Sequence, residues 1–227
     1  MKTIGMLGGT GWSSTIYYYT LLNQLVNQRL GGYHSAEIIL KSIDYHEIMS
    51  HYGKDHELIA QILKRKLSEL IALSPDCILI CCNSLHKYYD MIKKELNSSV
   101  PVFHAVELTA QSLKQHYQSV LLLATKFTKQ DGFFEKILTD AGVKVFTPND
   151  EEQNKMQEIH HDLMNNQVND SAKKYFQGLI KKYSECDAVV LGCTEYPMIV
   201  DSKTSSLPII DPVKIQTSIA VNFILED

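Results

Sequence analysis

The sequence is notable first for what it lacks. No uncharged apolar run approaches the roughly 20 residues that a membrane-spanning helix needs. The first stretch, MKTIGMLGGTGW, has a short apolar piece broken by glycines instead of the continuous core of a secretory signal. Both features lead to the expectation of a cytoplasmic protein. Positive charge is not in excess: 22 Lys and Arg face 26 Asp and Glu, for a net charge of −4. Neither nucleic acid nor an anionic membrane is therefore an expected partner. Cysteine is scarce and odd in number, at Cys77, Cys81, Cys82, Cys186 and Cys193, which argues against a disulfide framework and for thiols.

Two nucleotide signatures are also missing. GGTGWSS puts Gly9, Gly11 and Ser14 in the G-x-G-x-x-G frame, so the third glycine is absent, and no GK[ST] follows. Cys82, His86, His104 and Cys193 could in principle meet around zinc, but no paired C-x-x-C or H-E-x-x-H spacing supports it, and no metal is expected. Tyr17, Tyr18 and Tyr19 could stack on bases; without a basic patch they are read as core and subunit-interface residues. His160 and His161 are read as surface residues on different helix faces.

What is present is alternation. Apolar runs rich in β-branched residues (TIGML, AEIILKSI, DCILIC, SVLLLAT, VKVFTP, DAVVLG, LPIID) alternate with amphipathic helical stretches, including 13–30, 55–73, 84–96 and 151–166. This rhythm implies an α/β fold with parallel sheets covered by helices. The second half repeats the first: VPVFHAVELTAQSL is echoed by LPIIDPVKIQTSIA, TIGMLGGTG by SVLLLATKF, and CCNSLH by GCTEYP, in the same order. Two pseudosymmetric α/β/α domains related by internal duplication are expected. Their expected bounds are 1–100 with 208–227, and 101–207, the final strand and helix returning to the first half.

The duplication gives two cysteines a meaning that composition cannot. Cys82 and Cys193 each follow an apolar strand, and ligands of open parallel sheets bind at strand carboxyl ends. A thiol there that faces a helix N-terminus is favoured as thiolate. Two such thiols flanking one carbon could remove a proton from one face and return one to the other, inverting a stereocentre. Cys77, Cys81 and Cys186 are read as structural thiols, Cys81 lying on the opposite strand face from Cys82.

GMLGGTGWSSTIYYYTLLNQ, RLGGYHSAEIILKSIDYHEI, CCNSLHKYYD, VPVFHAVELTAQ and LGCTEYPMIV together resemble the aspartate/glutamate racemase family, in particular its broad-specificity amino-acid racemase branch. The resemblance covers essentially the whole chain. It implies an isomerase acting on amino acids without pyridoxal phosphate or another cofactor, usually dimeric, with Cys82 and Cys193 as catalytic cysteines. By the same resemblance Asn83, Ser84, Thr125, Thr128 and Thr194 bind the substrate carboxylate and amine, and Thr10 lies in a loop closing over the substrate. His46, His86 and Glu195 are supporting residues.

Where aspartate racemases of the family carry an arginine and a lysine for the distal carboxylate, this chain has His46 and Met164 nearby, so strict aspartate specificity is not expected. Two alternatives remain open from the sequence. One is another cysteine-dependent enzyme of the superfamily, of the maleate isomerase, hydantoin racemase or decarboxylase type; the other is a non-catalytic amino-acid-binding protein.

Overall fold

The computed structural model describes residues 1–226. The chain divides into two compact units, one formed by Met1–Ala105 together with the segment from Val213 on, the other by Val106–Pro212. In chain order the first unit contains β1 (Ile4–Gly8), α1 (Trp12–Leu30), β2 (Ile38–Ser42), the short α2 (His46–Met49), α3 (His56–Ile71), β3 (Cys77–Ile80) and α4 (Leu85–Ile92). There follow α5 (Ala105–Lys114), β4 (Ser119–Leu123), α6 (Lys126–Asp131), α7 (Phe133–Asp140), β5 (Lys144–Phe146), α8 (Asp150–Met164), α9 (Asp170–Lys182), β6 (Ala188–Leu191), β7 (Ile209–Ile210) and α10 (Pro212–Leu225).

Both sheets are parallel. The first has the order β2-β1-β3 and the second β5-β4-β6-β7. Parallel strands buried on both faces read as continuous apolar runs, and β1, β3 and β6 are buried along their whole length. Alternate residues serve opposite layers. Ile4, Met6, Leu79 and Cys81 pack with α1 and α10 residues such as Tyr18, Leu22 and Val221, whereas Leu7, Ile78, Ile80 and Cys82 pack with Ile59, Leu63 and Tyr88 of α3 and α4. In the second unit Leu121, Leu123, Val189 and Leu191 face α8 and α9, and Val120, Leu122, Ala188 and Val190 face α5 and α7.

Local chemistry sets the helix starts. Asp55 and Asn169 accept the N3 backbone hydrogens of α3 and α9, Asn149 and Glu152 form a reciprocal capping box on α8, and Thr125 caps α6. Between β4 and β5 the helical segment is split in two, because Gly132 adopts a left-handed conformation (φ 71°) between α6 and α7.

The crossings between units fall five residues later than the sequence suggested, at 105/106 and 212/213. PVFHAV begins in the first unit: Val102 bridges Ile78 in parallel, with Ile78 N–H donating to Pro101 O at 2.9 Å. β7 likewise stays with the second sheet, paired to β6. Only the helices exchange. α5 packs in the second unit, α10 in the first, so each duplicated segment ends its own sheet and contributes its helix to the other unit.

Two glycines fix the loops at strand ends. Gly9 has φ +87°, and a Cβ there would lie 2.2 Å from Ile43 O; one on Gly192 would meet Leu123 O at 2.9 Å. Gly9→Ala combines backbone strain with a clash that a carbonyl cannot evade, and it should cost about 2 to 4 kcal/mol. Urea unfolding measures it, and an unchanged midpoint would contradict this account of the loop.

Candidate active site

Each unit presents its cysteine just beyond the end of a buried strand. In the first unit β3 ends at Ile80, and Cys82 lies three residues before α4. Thr10 Oγ1 donates to Cys81 O at 3.1 Å, which ties the GGTG loop to the backbone directly before Cys82. Cys82 Sγ meets Ser84 Oγ at 3.3 Å, Ser84 Oγ meets the Tyr52 hydroxyl at 2.9 Å, and Tyr45 donates to the Tyr52 hydroxyl at 3.3 Å.

Tyr45 also hydrogen-bonds Cys82 itself; burial first, then the charge of Cys82, holds both phenols well above the usual tyrosine range. They therefore remain hydrogen-bond donors at any physiological pH. A thiolate on Cys82 would face hydroxyl donors and the start of an eight-residue helix, both of which favour negative charge.

The second unit is built differently. Gly192, in close approach to the end of β4, delivers Cys193 past β6. Cys193 Sγ donates to Glu195 Oε2 at 3.1 Å, and Thr194 Oγ1 donates to the same oxygen at 3.0 Å. Only 6% of Cys193 and 3% of Glu195 is exposed.

The element that follows is a single 3-10 turn, Tyr196–Met198. The helix-dipole argument made from sequence therefore fails for Cys193: one turn carries little dipole, and the nearest charge is a carboxylate. The hydrogen bond to Glu195 suits the protonated thiol. His160 of α8 completes the cluster, its ring 6.4 Å from that of Tyr196, and its donor atom lies within 4.8 Å of both Cys193 Sγ and a Glu195 carboxylate oxygen.

The remaining expected residues differ in burial and partners. Asn83, Thr128 and Thr194 are buried; Thr125 Oγ1 accepts from Thr128 N–H at 3.3 Å and lies 3.0 Å from Thr128 Oγ1. Ser84 is half-buried. His86 is fully buried, lies with its ring centre 4.3 Å from that of His104 at a 42° tilt, and accepts the Ala105 N–H through Nε2. Burial, then His104, pushes it well below the usual histidine range, so it is neutral.

His46 is exposed, and its neighbour Tyr45 is the residue that reaches Cys82. All five cysteines are free; burial pushes Cys77 up to about 12 and Cys186 up to about 11, so both stay protonated.

His160, expected at the surface, is not exposed. It is largely buried, and burial with the neighbouring His161 pushes it down to about 4. Its position was legible: residues 153, 156, 159 and 163 form the buried face of α8, and 160 lies seven residues from Gln153 and four from Met156.

The profile of the Asp/Glu/hydantoin racemase family matches residues 7–220. The broad specificity amino-acid racemase RacX of Bacillus subtilis (strain 168) is 26% identical over 218 residues, covering 92% of each chain. An Asp/Glu racemase candidate from Yersinia pestis superposes with a TM-score of 0.87 at 33% identity over the whole of both chains. An aspartate racemase homologue from Pyrococcus horikoshii OT3 does so at 0.85 and 29%, also over the whole of both. The chain belongs to the Asp/Glu/hydantoin racemase family, and its class is isomerase.

The low His160 value carries a stability consequence. The unfolded histidine, near 6.5, binds a proton before the folded one does, so its contribution is complete above about pH 6.5 and is lost as pH falls toward 4. Between pH 7 and pH 5 the chain should lose about 2 kcal/mol through this residue. Urea unfolding of the native chain and of His160→Gln at both pH values measures it, and an equal pH slope in the two would contradict the assignment.

Proposed function

We propose that this protein racemises amino acids without pyridoxal phosphate, using Cys82 and Cys193 on opposite faces of one α-carbon. The observation that carries the reading is the duplication itself: equivalent strand ends in the two units each bear a cysteine, and their polar surroundings are complementary. Cys82 meets hydroxyl groups that can donate to a thiolate base; Cys193 donates a hydrogen bond to Glu195, which suits a thiol acid.

In one direction the Cys82 thiolate removes the α-proton, and the electron pair left on carbon delocalises into the substrate carboxylate. The Cys193 thiol then delivers its proton to the other face, leaving Cys82 as thiol and Cys193 as thiolate. The reverse direction starts from that state.

Asn83, Ser84, Thr125, Thr128 and Thr194, with neighbouring backbone amides, are proposed to hold the carboxylate and stabilise the charge it gains. Glu195 is proposed as counter-ion to the substrate ammonium. The positions where the family resemblance leads one to look for cations read His46, which is exposed, and Met164. A distal carboxylate buried without a cation is costly, so we assign the substrate an uncharged side chain.

We propose a homodimer in the cytoplasm. Among the described residues no helix is long and apolar enough to cross a membrane, and five free thiols suit a reducing compartment. Trp12, Ile16 and Tyr19 are about half exposed along one face of α1 (52, 55 and 50%) and supply an apolar stripe for a second copy. Light scattering should give twice the chain mass, and Ile16→Glu should halve it; a native chain already monomeric at working concentration would remove the dimer from this account.

Cys82→Ser and Cys193→Ser should each lower racemisation of the best substrate by about 10²- to 10⁴-fold. Each variant should still wash out the α-proton of the one enantiomer that its remaining thiol faces. Chiral chromatography and proton NMR in D₂O, over a panel of L- and D-amino acids, measure both. Full racemase activity in either variant would overturn the two-thiol reading.

A further inference from the structure

The second cysteine cluster holds more than an acid for catalysis. Cys193 Sγ, a Glu195 carboxylate oxygen and a His160 ring nitrogen all lie within 4.8 Å of one another. Two of the three residues are buried and the third is largely so. We propose that this cluster is a binding site for a thiophilic divalent cation, zinc in the first instance, and that occupancy reversibly withdraws Cys193 from proton transfer. The binding claim stands on the cluster alone; only the inhibition rests on the racemase reading.

Thiolate, imidazole and carboxylate are the three protein donors that zinc takes, and a sulfur in the set disfavours magnesium and calcium. With bonds of about 2.3 Å to sulfur and about 2.0 Å to nitrogen or oxygen, a tetrahedral ion needs its donors about 3.3 to 3.6 Å apart. The sulfur and Glu195 Oε2 are already 3.1 Å apart. The imidazole nitrogen, within 4.8 Å of the sulfur and of a Glu195 carboxylate oxygen, has at most about 1.5 Å to close, within reach of ordinary side-chain torsions.

Two features prepare the site. His160 is neutral near pH 7, with its lone pair available, because burial depresses its proton affinity. Thr194 Oγ1 already donates to the Glu195 carboxylate, and the Tyr196 ring stands edge to face with His160, so both ligands are oriented from behind. Three protein donors leave a fourth position for water or for a substrate carboxylate.

Binding is proton-balanced: the metal–sulfur bond forms as the Cys193 S–H bond breaks, the proton passes to buffer, and Glu195 exchanges an accepted hydrogen bond for a metal bond. No redox change is involved. The donors are spread as one residue on α8 and a residue pair past β6, which is why no contiguous zinc motif exists in the sequence.

Cadmium is the probe, since its thiolate bond absorbs in the ultraviolet whether or not the enzyme turns over. One Cd²⁺ per chain should give a saturable thiolate-to-metal band with release of about one proton. Zinc should displace the cadmium, and EDTA should abolish the band. Cys193→Ser should lose it, and Cys82→Ser should keep it.

His160→Gln and Glu195→Gln should each weaken the affinity by at least about tenfold, with circular dichroism and thermal unfolding confirming that both variants fold. No saturable band, a band lost in Cys82→Ser, or unchanged affinity in both His160→Gln and Glu195→Gln would each overturn the site. In a parallel assay one equivalent of zinc should suppress α-proton exchange, and EDTA should restore it. A band without any exchange activity would leave the metal site standing and remove the racemase reading; exchange without a band would do the reverse.

Discussion

A parallel strand buried on both faces cannot carry polar chemistry along its length; the chemistry has to sit where the strand ends. That constraint governs both units of this chain. β3 and β6 are buried throughout, and the thiols, hydroxyls and carboxylate of the candidate site sit past their carboxyl ends. The cost of leaving buried polar groups unpaired then dictates the neighbours. Cys82 is joined by Ser84, Tyr52 and Tyr45, and Cys193 by Glu195, Thr194 and His160.

The duplication supplies symmetry of fold and the substitutions supply asymmetry of chemistry. In the first unit an eight-residue helix and phenolic donors surround the sulfur; in the second a single 3-10 turn and an acceptor carboxylate do. The proposed exchange needs one thiolate and one thiol in each direction, with the assignment reversed between directions. The unequal surroundings favour the state with Cys82 as thiolate and Cys193 as thiol.

Much of this was legible in the sequence because strong local signals agreed. Val, Ile and Leu runs between glycines and prolines marked the strands, the repeat marked the two units, and the position of CC and GC after such runs singled out Cys82 and Cys193. What was not legible depended on tertiary choice. LPIID reads as a strand but does not say which sheet it joins, so its membership in the second unit, with α10 alone returning to the first, could come only from pairing.

Charge also misled. His46 drew attention as an ionisable group and is exposed, while Tyr45, one residue away, is the one that reaches Cys82. His160 was read, with His161, as a surface residue on a different helix face, although its register with Gln153 and Met156 placed it on the buried side of α8. Burial, more than residue type, decided which polar side chains matter.

The central claim is that two thiols, each holding a single hydrogen, act on two faces of one carbon. Its most direct test is to run each enantiomer of a substrate with the native enzyme in D₂O to low conversion and to measure deuterium at the α-carbon of both pools. The account predicts product labelled at every α-carbon while the remaining substrate stays essentially unlabelled, whichever enantiomer is supplied. Deuterium appearing equally in substrate and product would mean that one base serves both faces, and would contradict it.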